Sequence, residues 1–198
     1  AIERGRKLIN GIINVYKERG YTSHDVVARL RGIKKKKKIG HTGTLDPEAE
    51  GVLPVCLGSG TKLCDMLTEK KKEYVAEFLF GITTDTQDIT GTVLSERAVT
   101  VTEEEAKVCI LGFLGDYEQI PPMYSACKVN GKRLYELARE GKEVERKPRP
   151  VTIYELEILS MSLPLVKIRI RCSKGTYIRT LCHDIGEKLG CGGAMKSL

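Results

Sequence analysis

The sequence has 198 residues, of which 41% are hydrophobic and 30% charged, a composition typical of a folded soluble domain and unlike that of a disordered chain. The net charge of +7 favours an anionic partner, with RNA or DNA first and an acidic membrane surface second. No apolar run approaches the ~20 residues of a transmembrane helix, and the first residues lack the pattern of a signal peptide. We therefore expect a cytoplasmic protein with no membrane partner.

The cysteine pattern agrees with a reducing compartment. There are seven cysteines, none in a C-x-x-C pair, and several stand in apolar contexts such as "VLPVCLG". An odd number of cysteines in a chain of this size predicts buried free thiols rather than a disulfide framework or a metal site.

The first third of the chain predicts two strands and two helices. The run from Ile9 to Tyr16 is rich in β-branched residues, which indicates a strand, and "VLPVCLG" reads as a short buried strand. Between them, Thr22 and Ser23 are candidate N-caps for a helix that we expect to end at Gly32. The lysines from Lys34 to Lys38 predict either a solvated loop or a phosphate contact. A short helix is expected over Thr61–Thr68.

The rest of the chain mixes strands and helices without regular βαβ alternation. "KEYVAEFLFGI" alternates as a strand, "TTDTQDITG" reads as loop, and Thr102 with Glu105 forms a capping box for the helix that follows. Asn130–Gly131 predicts a tight hairpin, and Gly141 ends the next predicted helix. "PVTIYELEIL" and "LVKIRIRC" predict two strands, and "YIRTLCHDIGEKLG" a final helix ending at Gly190. This order favours an α+β fold with a largely antiparallel sheet flanked by helices and loops.

The run "GHTGTLDPEAEG" is the first candidate for chemistry. Gly40 and Gly43 allow the backbone to turn tightly, and Pro47 keeps Asp46 away from helical geometry, so the run presents a carboxylate on a stiff turn. An ordinary Asp-Pro turn is the alternative interpretation. The run matches neither a phosphate-binding loop nor a dinucleotide fingerprint.

Two further stretches carry candidate residues. In "CSKGTYIRTLCHDIG", Tyr177 and Arg179 follow a strand-breaking glycine, and an arginine there can bind a carboxylate in a bidentate manner. Tyr74 lies in the apolar alternating strand. Taken singly, these residues favour the simpler interpretation, in which the tyrosines belong to the core and the arginine to the surface.

Together the stretches resemble one family. "GHTGTLDPEAEGVLPVCLGSGTK", "KKKEYVAEFLFGITTDTQDITG", "IPPMYSACKVNGKRLYELAREG" and "CSKGTYIRTLCHDIGEKLGCGG" are similar to the ordered motifs of the TruB-type bacterial tRNA pseudouridine synthases. The resemblance implies the pseudouridine synthase fold over residues 1–198 and an enzyme that isomerises the uridine at position 55, in the T loop of tRNA. It also implies a C-terminal PUA-like RNA-binding domain that this chain does not include.

The resemblance assigns a role to each candidate. Asp46 matches the catalytic aspartate and Arg179 the arginine that pairs with it. Tyr74 matches the tyrosine that stacks on the target base and can take up its C5 proton. The remaining matches concern substrate binding: His41 lies beside the flipped nucleotides, Tyr177 contacts the substrate, and Leu198 packs on the uracil.

The resemblance also implies partners and leaves alternatives. Residues 123–150 match an insertion that clamps the T stem-loop, and no cofactor, metal or obligate protein partner is implied for what would be a monomer. Two departures are Glu18, where a proline is usual, and Ala194, where a histidine is common. A guide-RNA-dependent pseudouridine synthase shares the "GHTGTLDP" signature but lacks the insertion. A non-catalytic RNA-binding or tRNA-chaperone module would need the basic surface but not Asp46.

Overall fold

The computed structural model describes residues 9–34, 38–68 and 71–198. The chain divides into two compact units, one extending to residue 70 and one from residue 71 onwards. Of the predicted lysine run, Lys35 to Lys37 lie outside the described residues. Among the described helices, none combines the length and apolar composition needed to cross a lipid bilayer.

The first unit is a three-stranded antiparallel sheet covered by helix α1. Its strands pair in the order β1–β3–β2, and its core contains Val27 of α1 together with Leu53 and Val55 of β3. The elements in chain order are β1 (Gly11–Lys17), α1 (Ser23–Lys34), β2 (Ile39–His41), β3 (Gly51–Leu57), a 3₁₀ helix (Gly58–Leu63) and α2 (Cys64–Thr68).

The second unit is built on a five-stranded sheet. Its strands pair in the order β12–β4–β11–β10–β7, and two short antiparallel pairs, β5–β6 and β8–β9, stand apart from it. The elements are β4 (Lys72–Phe80), β5 (Ile82–Thr84), β6 (Val93–Glu96), α3 (Glu103–Leu111), β7 (Gly115–Gln119), β8 (Lys128–Val129), β9 (Lys132–Arg133), α4 (Leu134–Arg139), β10 (Arg149–Ser162), β11 (Leu165–Cys172), α5 (Ile178–Lys188) and β12 (Gly193–Ser197).

The α+β prediction is confirmed. Within the described residues the named strands all pair antiparallel, and a single parallel bridge joins Asp88 to Met195. The inward side chains of β4 and β11 are buried as their alternation predicts, and they pack against α5. On the outward face of β11, Arg169 and Arg171 form ion pairs with the opposing carboxylates of β10, so this face is not an unpaired basic stripe.

Local signals placed several element ends correctly. Thr102 and Glu105 form the predicted capping box at the start of α3. Asn130 and Gly131, with φ of 50° and 81°, make the two-residue turn between β8 and β9, and both values fit the mirror-image turn that tight hairpins require. Helix α4 is followed by Gly141 with φ of 69°, and the Lys142 N–H donates to the Leu137 carbonyl, a pattern typical of a glycine-terminated helix.

Other predictions were wrong in detail. Helix α1 continues two residues beyond Gly32, because Gly32 does not adopt the positive φ that a helix-ending glycine has. The stretch predicted as helix over 61–68 begins as the 3₁₀ helix and becomes α-helical only at Cys64. "TTDTQDITG" is not all loop, because Thr83 and Thr84 belong to β5.

All seven cysteines are free, as predicted, and five of them are buried.

Candidate functional site

In the loop between β2 and β3, Asp46 begins a turn that is closed by two hydrogen bonds. The Ala49 N–H donates to the Asp46 carbonyl at 2.9 Å, which closes a four-residue turn with Pro47 at its second position. The Glu48 N–H donates to Asp46 Oδ1 at 3.1 Å. Backbone and side chain of Asp46 are therefore both restrained, as expected for an Asp-Pro turn that presents one carboxylate.

A buried lysine ties this turn to the rest of the first unit. Lys17, the last residue of β1, is 0% exposed, and its Nζ donates to the carbonyls of Tyr21, Glu18 and Pro47 at 2.6, 3.1 and 3.3 Å. Burial lowers the pKa of Lys17, and the negative charge of Asp46 acts in the opposite direction. Lys17 thus supplies a positive charge near Asp46 and connects β1 to the Asp46 turn.

Sequence reasoning missed this role of Lys17. The available signal was its position, because Ile13, Val15 and Lys17 share the inward face of an alternating strand. A charged residue at such a position is almost always paired when it is buried.

Helix α1 supports the loop from its other side. Thr22 caps the helix, since the Asp25 N–H donates to Thr22 Oγ1 and the Thr22 N–H donates to Asp25 Oδ2. The other predicted cap, Ser23, lies inside the helix, and its buried hydroxyl accepts from the Leu45 N–H at 2.9 Å. The residue before Asp46 is therefore fixed to the start of α1.

His41 ends β2 at the edge of the same loop. Its Nδ1 lies 2.8 Å from the Gly43 carbonyl oxygen, which holds the ring over the turn. A pocket of about 480 Å³ opens beside it, and His24, Arg31 and Lys38 contribute basic side chains to the lining. This pocket suits an anionic group.

The same run contains two further carboxylates, Glu48 and Glu50. Glu50 is exposed, whereas Glu48 forms an ion pair with Arg19 at 2.7 Å. That pair is partly exposed and contributes little to stability.

In the second unit, Arg179 is buried on the first turn of α5. It is 6% exposed, and its Nη1 and Nη2 donate to the carbonyls of Thr86 and Tyr124, each at 2.8 Å. The two acceptors belong to the loop after β5 and to the segment before β8. The guanidinium is therefore oriented by two segments that are distant in sequence.

Tyr177 precedes α5 and is held through its main chain. The Tyr177 N–H donates to Gln119 Oε1 at 2.8 Å, and Gln119 Nε2 donates to the Tyr177 carbonyl at 3.0 Å. Burial raises the pKa of Tyr177, while the Ser125 hydroxyl and the positive charges of Arg149 and Arg179 act to lower it. The Ser125 hydroxyl is itself buried and has no well-formed hydrogen bond among the described residues.

Tyr74 and Leu198 lie on the core of the second unit. Tyr74 is opposite Ile170 of β11, at the end of the buried stripe of β4, and is half-buried. Leu198 follows β12 and packs on the same core. Each therefore packs on the core while part of the residue stays exposed.

The predicted RNA-clamping insertion, residues 123–150, has its own small core. Leu134 and Leu137 of α4 pack with Cys127, Met123 and Val129. On its surface, Tyr135 stacks beneath the guanidinium groups of Arg133 and Arg139 at 5.8 and 5.2 Å. Within the part of the chain that the structure describes, no group of three His, Cys, Asp or Glu side chains is arranged to hold a metal ion.

Four of the six predicted site residues thus fall into two pairs. Asp46 and His41 share one loop of the first unit, and Tyr177 and Arg179 share the start of α5. The predicted pairing of Asp46 with Arg179 stays a prediction. Sequence reasoning missed Gln119, Tyr124 and Thr86, and the only available signal was the inward position of Gln119 in β7.

Comparison with known proteins identifies the relatives of this chain. Residues 31–178 match the sequence model of the N-terminal domain of the TruB family pseudouridylate synthases. The chain is 58% identical over 190 residues to tRNA pseudouridine synthase B of Clostridium novyi and 62% identical over 199 residues to that of Lachnoclostridium phytofermentans. Each match covers 96% of this chain, which spans 66% and 64% of the two relatives.

Solved structures show the same fold. A crystal structure of a Cbf5–Nop10–Gar1 complex contains a chain that matches 94% of this one with a TM-score of 0.73 and 33% identity. A structure of an H/ACA ribonucleoprotein bound to a substrate RNA matches with a TM-score of 0.69 and 31% identity. These matches cover 46% and 45% of the solved chains.

Proposed function

Because this chain belongs to the TruB family of pseudouridylate synthases, we propose that it isomerises the T-loop uridine at position 55 of tRNA to pseudouridine. The observation that carries the proposal is the family match combined with the geometry of Asp46. This carboxylate stands on a turn that is restrained by two local hydrogen bonds and by the buried Lys17. Such restraint is what a reacting group needs and what a solvated turn does not require.

The chemistry needs one ionised carboxylate and no redox step. The C1′–N1 glycosidic bond breaks, the uracil turns over while it stays in the site, and a C1′–C5 bond forms. Asp46 can attack C1′ and hold the sugar covalently, as retaining glycosidases do, add to C6 of the ring, or remove the 2′ proton. In all three routes Asp46 is the catalytic residue, and Arg179 is proposed as the cation that orients it.

The remaining proposed site residues act on the base. Tyr74 stacks on the uracil, a contact worth ~1–3 kcal/mol per base, and its phenol can take up the C5 proton. Tyr177 and Leu198 contact the substrate from α5 and from the residue after β12. A uridine in a folded T loop cannot be reached while it is stacked, so flipping is required, and His41 is proposed to contact the flipped nucleotides.

RNA binding is proposed to use the insertion and the basic pocket. Tyr135 and the adjacent guanidinium groups of Arg133 and Arg139 combine aromatic and cationic surface, which suits bases and phosphates. The pocket beside His41, with Arg31 and Lys38, suits a backbone phosphate. With a net charge of +7, the affinity for tRNA is expected to fall steeply as salt is added.

We further propose that residues 1–198 form one catalytic domain that acts in the cytoplasm as a monomer, without an obligate protein partner. The similarity to chains from Cbf5 complexes supports a second candidate, a synthase that depends on other components such as a guide RNA. The hairpin β8–β9 and helix α4 favour the stand-alone enzyme, because the guide-dependent class is expected to lack this insertion.

An assay on unmodified tRNA transcript, without guide RNA, tests the proposal. Isomerisation leaves the mass unchanged, so product is read by chemical labelling of pseudouridine. The wild-type chain is expected to modify the T-loop uridine and Asp46→Asn to give no product. Glu50→Gln is the matched control, since it neutralises an exposed carboxylate of the same loop and should keep full activity. Equal product from wild type and Asp46→Asn, or product only with added guide RNA, would contradict the proposal.

A further inference from the structure

The side chain of Gln119 is bonded to Tyr177 as a neighbouring strand would be. Gln119 ends β7 and is 1% exposed. Its amide accepts the Tyr177 N–H at 2.8 Å and donates to the Tyr177 carbonyl at 3.0 Å. Because a main-chain N–H can only donate and a carbonyl can only accept, these two bonds fix which way round the amide stands.

Gln119 is itself held in place. The Tyr117 hydroxyl lies 2.5 Å from Gln119 Nε2, which accounts for the second hydrogen of the amide. The Tyr117 ring packs edge-to-face against Phe113, with centroids 5.3 Å apart, at the surface of the core. The Gln119 amide, which makes both hydrogen bonds to Tyr177, therefore has little freedom to move.

The two hydrogen bonds between Gln119 and Tyr177, called here the Gln119 clamp, lie where α5 begins. Tyr177 occupies the N-cap position, and its own side chain makes no capping hydrogen bond. The chain enters it from a turn at Gly175, which has φ of 77° and is closed by the Thr176 hydroxyl, a donor to the Ser173 carbonyl at 2.8 Å. From outside the helix, two hydrogen bonds with Gln119 hold the Tyr177 main chain. The first turn of α5 connects Tyr177 to Arg179, whose guanidinium is bonded separately to two main-chain carbonyls.

We propose that Gln119 is a positioning residue for the reaction, which acts by fixing the main chain of Tyr177 and, through the first turn of α5, the guanidinium of Arg179. This inference rests on the proposed function, since it assigns Gln119 a role in that site. Misplacing a contributing group by ~1 Å can lower a catalytic rate by ~10²-fold. Loss of the clamp is therefore expected to lower kcat far more than it raises KM.

The test compares Gln119→Glu with Gln119→Leu across pH. A protonated carboxyl has one donor and one acceptor and can replace the amide, whereas the ionised form has only acceptors and faces the Tyr177 carbonyl. A carboxyl at so buried a position favours its neutral form. Gln119→Glu should therefore recover activity relative to wild type as the pH falls from about 8 to about 5.5. Gln119→Leu should stay about 10- to 100-fold below wild-type kcat at every pH, with KM changed by less than about 3-fold.

Thr83→Val is the matched control. It removes a buried hydroxyl whose hydrogen bond is to Ser95 of β6, in the same unit, rather than to a residue of α5. If it lowers kcat as much as Gln119→Leu does, or if Gln119→Glu shows no relative gain at low pH, the positioning role is overturned.

Hydrogen exchange at the Tyr177 amide tests the role of Gln119 independently of the proposed function. The Tyr177 amide should exchange about 10-fold faster or more in Gln119→Leu than in wild type, and at an unchanged rate in Thr83→Val. Equal exchange in wild type and Gln119→Leu overturns the inference whatever the activity. A wild-type chain that makes no product counts against the proposed function alone, while the exchange rates still decide whether Gln119 holds Tyr177.

Discussion

Replacing Lys17 with methionine should loosen the Asp46 turn without removing the core around it. Methionine retains the apolar stem and most of the volume of the lysine but cannot donate a hydrogen bond. The mutation therefore leaves the carbonyls of Tyr21, Glu18 and Pro47 without the donor that lies 2.6, 3.1 and 3.3 Å away in the wild type.

The magnitude follows from counting what each carbonyl loses. Hydrogen bonds from a charged donor contribute ~1.5–3 kcal/mol each, and the Tyr21 bond is short enough to count in full. The Pro47 carbonyl keeps the Gly20 N–H as a donor at 2.8 Å, so its loss is smaller. The desolvation of Lys17, which lowers its pKa, is relieved in the mutant and offsets part of the loss. We expect a net destabilisation of the turn of about 2–3 kcal/mol.

Two amides report directly on this turn. The Gly20 N–H donates to Pro47 and the Ala49 N–H to Asp46, so both become exchangeable when the turn opens. A loss of about 2–3 kcal/mol corresponds to exchange about 30- to 150-fold faster at these positions. Lys107→Met is the control, because Lys107 is a partly exposed lysine that forms an ion pair with Glu104 across one helical turn. Less than about 3-fold faster exchange in Lys17→Met would refute the reasoning, since the three bonds would then contribute almost nothing.

Two further predictions concern α5. Burial and the charge of Glu187 raise the pKa of Asp184 to about 6, so the folded state binds this proton more tightly than the unfolded state, and stability is lost as the pH rises from about 4 to about 6. In urea denaturation, Asp184→Asn should therefore be more stable than wild type by about 1–2 kcal/mol at pH 8, after allowing for solvent screening of this half-buried group. Below about pH 4 the two proteins should be equally stable. A constant difference in stability across pH would contradict the raised pKa of Asp184. In the same assay, Gly186→Ala should lower the free energy of unfolding by about 3 kcal/mol, because its Cβ would lie 2.2 Å from the backbone of Gly192 and Gly193. Gly32→Ala, whose Cβ would have nothing within 4 Å, should be stabilising. Equal effects of the two substitutions would show that β12 does not pack as closely on α5 as described.

Predictions that rested on local chemistry succeeded. The capping box at Thr102 depends on groups three residues apart, and the Asn130–Gly131 turn depends on which residues tolerate positive φ. The alternation in β11 predicted its buried face because neighbouring side chains of a strand point to opposite sides. The short strands β2, β6, β7 and β12 were missed, since each has five residues or fewer and owes its conformation to the strand it pairs with.

The candidate site divides in the same way. The sequence by itself determined the family, the Asp46 turn and the identity of the candidate residues, since these depend on residue types at fixed spacing. Only the tertiary structure decided what holds them: Lys17 on three carbonyls, Arg179 on the carbonyls of Thr86 and Tyr124, and Tyr177 on the amide of Gln119. Most of these partners are main-chain groups, which every residue carries. Their positions depend on where the folded chain brings distant segments together, and no local pattern of side chains encodes that.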